Sequence, residues 1–133
     1  MNPVYLDTSA LLPLLDRSDR DHHAVRRALE SLAEEGAPLL TASYVLVEAG
    51  ALARSRLGIA AFRALGEVAE QAMRIAWVDE SLHAEAWRRA AGEGRAGPGL
   101  VDWVSFLVMR QAGVERALAL DAHFTRQGFR TLP

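Results

Sequence analysis

Apolar positions along the chain fall into two kinds of pattern. Short runs, Val4-Tyr5-Leu6, Leu39-Leu40-Thr41, Met73 to Val78, Ala117 to Leu120 and Phe129 to Leu132, are too brief for helices and predict buried strands. Longer segments between them carry apolar residues three and four apart. A helix is predicted from Thr8. A second, capped by Ser18 and stopped by Gly36, would bury His22, Val25, Leu29, Leu32 and Ala33. Ser43 is read as the cap of a third helix running to about Arg56, and further helices are predicted over Ile59–Gln71, Ser81–Ala91 and Leu100–Gln111, the last closed by Gly113. Strands alternating with helices imply an α/β fold, a three-layer α/β/α sandwich around a central parallel sheet. Such sheets bind ligands beyond the carboxyl ends of their strands, and two predicted strands run into an aspartate there, Asp7 and Asp121.

Composition narrows the function classes. The 133 residues show no repeat or linker and read as one domain, 1–133; Gly92 to Gly99 reads as a surface loop. Cysteine is absent, which excludes disulfides, thiolate nucleophiles and zinc–thiolate sites and favours a reducing, cytoplasmic setting. No apolar run nears the roughly 20 residues of a membrane span, and Met1-Asn2-Pro3 has no basic leader. All fifteen basic residues are arginine, against 17 acids, for a net charge of -2. Taken alone, that sum speaks against a nucleic-acid partner.

The distribution of the acids changes this picture. Asp7 and Asp121 each follow an apolar strand and precede a helix start, which suits either a helix N-cap or a site. Glu48 is alone in an uncharged stretch from Pro38 to Ala53, and Asp102 is the only ionisable group between Arg95 and Arg110. Each is open to a bland reading, Glu48 as solvent-facing and Asp102 as a complement to its helix dipole. Ser105, three residues beyond Asp102, could orient it or a bound water. If the four acids converge, their repulsion would raise some of their pKa values unless a cation occupied the pocket. Carboxylates without thiols suit a hard ion, Mg²⁺ or Mn²⁺. His22, His23 and His83 are read as packing or surface residues, Trp77, Trp87 and Trp103 as core rather than base-stacking platforms, and His123 as a contact near the site. No Gly-rich phosphate loop or nucleophile elbow is present.

The segment Leu6-Asp7-Thr8-Ser9-Ala10-Leu11, Ser43 with Glu48 five residues on, Asp102 opening a helix after a Gly-rich loop, and Asp121 followed by Phe124 together resemble the PIN-domain ribonucleases, and among them the VapC-type toxins. The resemblance spans essentially the whole chain. It implies one or two Mg²⁺ or Mn²⁺ ions, RNA cleaved by metal-activated water, a small antitoxin as partner and a homodimer. Carried over residue by residue, Asp7, Glu48, Asp102 and Asp121 form the acidic quartet, with Ser9 as polar neighbour. Ala119 stands where many members have Thr or Ser, and His123 where many have a further acid.

Setting the quartet aside leaves 15 arginines against 13 acids, so the remaining shell is mildly basic and RNA returns as a partner. Arg54, Arg56, Arg95 and Arg110 are candidate phosphate contacts or simply solvated helix ends. Two alternatives stand beside a toxin nuclease: a housekeeping RNA-processing nuclease of the same fold, and a catalytically silent RNA-binding domain whose acids are caps. A dehalogenase-like phosphatase usually has a second aspartate where this chain has Ser9.

Overall fold

The structure is a computed structural model describing residues 2–133. Its elements are β1 (Val4–Leu6), α1 (Thr8–Leu15), α2 (His22–Glu35), β2 (Leu39–Ala42), α3 (Ser43–Leu57), α4 (Ile59–Ala72), β3 (Met73–Ala76), α5 (Glu80–Ala91), α6 (Leu100–Ala112), β4 (Arg116–Leu118), α7 (Ala122–Arg126) and β5 (Arg130–Leu132). The five strands form one all-parallel sheet in the order β3-β2-β1-β4-β5. The chain therefore starts in the middle, winds outward to β3, then crosses back to β4. That reversal makes the gap beyond β1 and β4 the topological switch point, where open parallel sheets place their ligands.

The residues of β1 are fully buried, as a strand covered on both faces must be. Tyr5 OH and Ser105 Oγ share a buried 2.7 Å hydrogen bond, tying α6 to the sheet. Phe106 of α6 meets Phe124 of α7 edge-on, with centroids 5.0 Å apart, and Phe129 stacks on Phe106 at 5.9 Å. This aromatic cluster fixes α6 and α7, the helices that begin beside Asp102 and Asp121. Gly36 and Gly113 adopt left-handed φ of 71° and 67° and end α2 and α6, as predicted.

Several boundaries differ from the sequence reading, each for a local reason. Ser18 does not cap α2: its N–H and hydroxyl both donate to Asp16 Oδ1, and Asp21 N–H donates to Asp19, so helix onset is delayed to His22. Ser43 lies inside α3 and its Oγ accepts from Val78 N–H across the sheet edge, leaving Ala42 as the capping position. Strand β4 stops at Leu118, so Asp121 lies in the loop beyond rather than at the strand end. Ala33 is exposed, and so are Trp77 and Trp87, at 76% and 58%; of the three tryptophans only Trp103 is core.

The Tyr5–Ser105 pair makes the fold testable. Removing one partner leaves a buried hydroxyl without a hydrogen bond, which costs about 1–3 kcal/mol. Ser105→Ala is expected to lose about that much in urea unfolding, and the Tyr5→Phe/Ser105→Ala double variant to recover most of it.

Candidate active site

Asp7 leaves β1 and caps α1. Its Oδ2 accepts from Ser9 N–H at 3.1 Å and from Ser9 Oγ at 2.7 Å, and the residue is only 3% exposed. Ser9 Oγ in turn accepts from the backbone N–H groups of Leu120 at 2.9 Å and Asp121 at 3.3 Å. One hydroxyl thus joins the carboxyl end of β1 to the loop after β4. Asp121 caps α7, its Oδ1 accepting from His123 N–H at 2.8 Å. Asp102 sits in the first turn of α6 and reaches back to accept from Gly99 N–H at 3.4 Å.

These three aspartates share a pattern. In each, one carboxylate oxygen is held by a backbone N–H, and the other accepts no hydrogen bond from the described residues. Asp102, Asp121 and His123 offer ligand atoms that all lie within 4.8 Å of one another. Burial raises the Asp7 carboxyl above its ordinary value, opposed by the Ser9 hydrogen bonds and reinforced by the charges of Asp121 and Glu48. Burial also lifts Asp102 to about 6, helped by Asp121 and Asp7. The four acids predicted from sequence therefore sense one another at the switch point. Two carboxylates and an imidazole within 4.8 Å, with the charge of Asp7 beside them and no thiol, fit a hard divalent cation, which would relieve this repulsion.

The other predicted residues divide. His123 joins the cluster, its Nε2 3.9 Å from Asp121 Oδ1, whereas Asp7 and Glu48 lie outside the tight trio, Asp7 coupled by charge to Asp102 and Asp121, and Glu48 to Asp7. Ser105 does not orient Asp102. Three residues along a helix still means about 60° of rotation, which turns its hydroxyl to Tyr5, where it is fully buried. Arg110 is engaged by Gln127 and lies over Phe129, at the end of α6 away from Asp102. Arg54 and Arg56 occupy the end of α3 opposite Tyr44. A cavity of about 630 Å³ lies elsewhere, between α5, α6 and edge strand β3.

The sequence reading passed over one feature. Tyr44 OH is hydrogen-bonded to His83 Nδ1, and His83 packs against Trp87 with centroids 5.6 Å apart. Only the four-residue spacings Tyr44–Glu48 and His83–Trp87 hinted at it.

The chain belongs to the PIN domain family, whose profile matches residues 4–130. It is 28% identical over 127 residues, 95% of each chain, to the 23S rRNA-specific endonuclease VapC20 of Mycobacterium tuberculosis. The crystal structure of that protein, described as a sarcin-ricin loop cleaving toxin, superposes with a TM-score of 0.85 over 98% of this chain and 99% of the other. FitAcB from Neisseria gonorrhoeae, at 18% identity and TM-score 0.65 over 98% and 96% of the chains, shares the fold. So does PAE2754 from Pyrobaculum aerophilum, at 20% and 0.59 over 98% and 89%.

The Asp102 shift has a measurable consequence without metal. The folded protein keeps this proton up to about pH 6, while the unfolded chain releases it near 3.8. The stability Asp102 contributes is thus full below 3.8 and is lost as pH rises through about 6. In excess EDTA the melting temperature should fall across that window. Asp102→Asn should flatten part of the fall and melt a few degrees higher at pH 7, at about 4 °C per kcal/mol for a domain this size. An unchanged pH profile would contradict the burial and repulsion described.

Proposed function

We propose that this protein is a divalent-cation-dependent endoribonuclease, the toxin of a toxin–antitoxin pair. The observation that carries the reading is the gathering of Asp102, Asp121 and His123 ligand atoms within 4.8 Å of one another, with Asp7 coupled to both aspartates by charge and tied to the Asp121 backbone through Ser9. Likeness to the rRNA endonuclease VapC20 over nearly the whole chain supports RNA as the substrate.

In this reading Asp7, Asp102 and Asp121 hold Mg²⁺ or Mn²⁺, with His123 at the edge of the set and Glu48 adding charge from α3. When bound, the ion supplies activated water and charge neutralisation on the phosphodiester. The residues themselves supply aim and dryness. Ser9 holds Asp7 Oδ2 and the backbone of residues 120 and 121 in one register, so the Asp7 and Asp121 carboxylates keep their relative placement through a turnover. His123 N–H holds Asp121 in its capping rotamer, and Gly99 N–H does the same for Asp102. Glu48, half-buried and outside the trio, adds its negative charge beside Asp7.

The reading also takes 1–133 as one catalytic unit in the cytoplasm. No helix among the described residues is long and apolar enough to cross a membrane. Its partners are a small antitoxin and a second copy of the chain. A protein partner is supported by exposed Val47, Phe62 and Trp77, which line a groove of about 360 Å³ beside α3.

Purified protein should cut structured RNA in Mg²⁺ or Mn²⁺. Asp7→Asn should reduce the rate at least about a hundredfold, since charge stabilisation by a bound cation is worth several kcal/mol. An equal rate in excess EDTA would sink the proposal. Ser9→Ala tests the tie between the two loops. It should weaken Mn²⁺ affinity about 10–100-fold, as loss of a supporting hydrogen bond commonly does. Mn²⁺ affinity equal to wild type would mean that Ser9 positions nothing.

A further inference from the structure

Trp87 is the most exposed aromatic of α5, at 58%, yet its surroundings are built rather than loose. Its indole packs on the His83 ring one turn earlier, centroids 5.6 Å apart and planes 36° from parallel. His83 meets Tyr44 edge-on at 5.8 Å and is hydrogen-bonded to the Tyr44 hydroxyl. Tyr44 is one turn before Glu48 on α3, so the two side chains are neighbours on one helix face. A line of three rings therefore runs outward from the helix that carries Glu48.

The packing of α5 on α6 places Trp87 at the acidic end of the molecule. Leu82 and Glu85, early in α5, line the same cavity as Leu107 and Gln111, late in α6. Arg89, late in α5, lies over the ring of Trp103, early in α6, at 5.5 Å. The two helices are antiparallel, and α5 climbs toward the end where Asp102 stands. Trp87 thus lies between two anchors on its own helix, His83 bonded to Tyr44 of α3 and Arg89 over Trp103 of α6, toward the end of the molecule that carries Asp102. Arg88 and Arg89 flank it, each paired with Glu85 and each still exposed.

An exposed ring costs solvation and is usually buried; a rigidly backed one flanked by guanidinium groups is what single-stranded nucleic acid binds, base against ring and phosphate against cation. We propose that Trp87, held by His83 and Tyr44, is a stacking platform for an unpaired base of the bound RNA. This rests on the ribonuclease reading and adds a binding determinant that needs no metal ligand. It selects unstacked, single-stranded nucleotides over duplex at that position.

The test compares two probes, an oligoribonucleotide and an abasic ribose–phosphate chain of equal length, bound to protein carrying Asp7→Asn so that the RNA stays intact. With Trp87 present, the base-bearing probe should bind more tightly than the abasic one. Trp87→Ala should reduce affinity for the base-bearing probe by about five- to a hundredfold, the range of one base–aromatic stack, and leave the abasic probe unaffected. Trp87→Phe should restore most of the difference. In the cleaving protein, Trp87→Ala should raise KM with kcat held. Equal affinities for the two probes in Trp87→Ala and its parent, alongside metal-dependent cleavage by wild type, overturn the platform and leave the nuclease standing. A wild-type protein that neither binds nor cuts RNA overturns both. If Trp87→Ala changes oligomeric state while RNA affinity holds, the ring belongs to a protein interface and the proposal fails.

Discussion

Ser9 Oγ gives its proton to Asp7 and takes two backbone N–H groups from residues 120 and 121. Like charges at the end of a parallel sheet repel, and the β1–β4 strand ladder, which ends at Asp7 N–H and Leu118 O, does not reach the loop that carries Asp121. This hydroxyl does, by making the position of one acid's carboxylate and the other acid's backbone a single geometric fact. Ala119, which has no hydroxyl to offer, is buried at the loop between them. Support for Asp121 comes instead from Ser9 across the switch point and from the His123 N–H on its own helix.

The rest of the fold serves that constraint. Asp7 N–H donates to Leu118 O, carrying the β1–β4 ladder up to the site. Tyr5 of the central strand pins α6 through Ser105, and Phe106, Phe124 and Phe129 lock α6 against α7. Asp102 and Asp121 are therefore fixed by helices that cannot slide independently. Burial first, and the neighbouring acids after it, raise the Asp7 and Asp102 carboxyls above their ordinary values in this arrangement. The core holds it with neutral, well-packed side chains, a pattern usual where a site must be ready before its ligand arrives.

How much of this could be read in the chain depends on the range of each interaction. Strand and helix identity followed from local periodicity, and Gly36 and Gly113 marked stops because left-handed backbone is a one-residue property. Helix starts failed at Ser18 and Ser43, where a side chain found a better partner than its own helix: Asp16 in one case, Val78 across the sheet in the other. The four acids were visible because charges isolated in apolar stretches need an explanation. Their separate roles were not, since the ties that define them, Ser9 to residues 120 and 121 and Tyr5 to Ser105, span 100 residues or more. Trp77 and Trp87 were misread as core because an aromatic just past an apolar strand, or on a helix, gives the same pattern whether it meets a neighbour or solvent.

Net charge needs the same correction. Removing the quartet makes the remainder +2, but the arginines behind that figure are not interchangeable. Arg116 is tied to Glu35 and to the Asn2 carbonyl at the amino end of β4, and Arg110 to Gln127 at the far end of α6. Neither faces the acids. At the carboxyl end stand Arg88 and Arg89, which share Glu85, and Arg95 in the loop before Asp102. A single-stranded RNA loses only about 0.7 in its log–log salt slope for each phosphate neutralised, so three guanidinium groups, two of them sharing Glu85, cannot supply strong electrostatic binding. In the proposed reading, affinity must then come from two short-range sources, a cation held by the carboxylates and a base laid on Trp87. Both depend on an unpaired, accessible strand, and a uniformly basic surface would have bound any duplex as well.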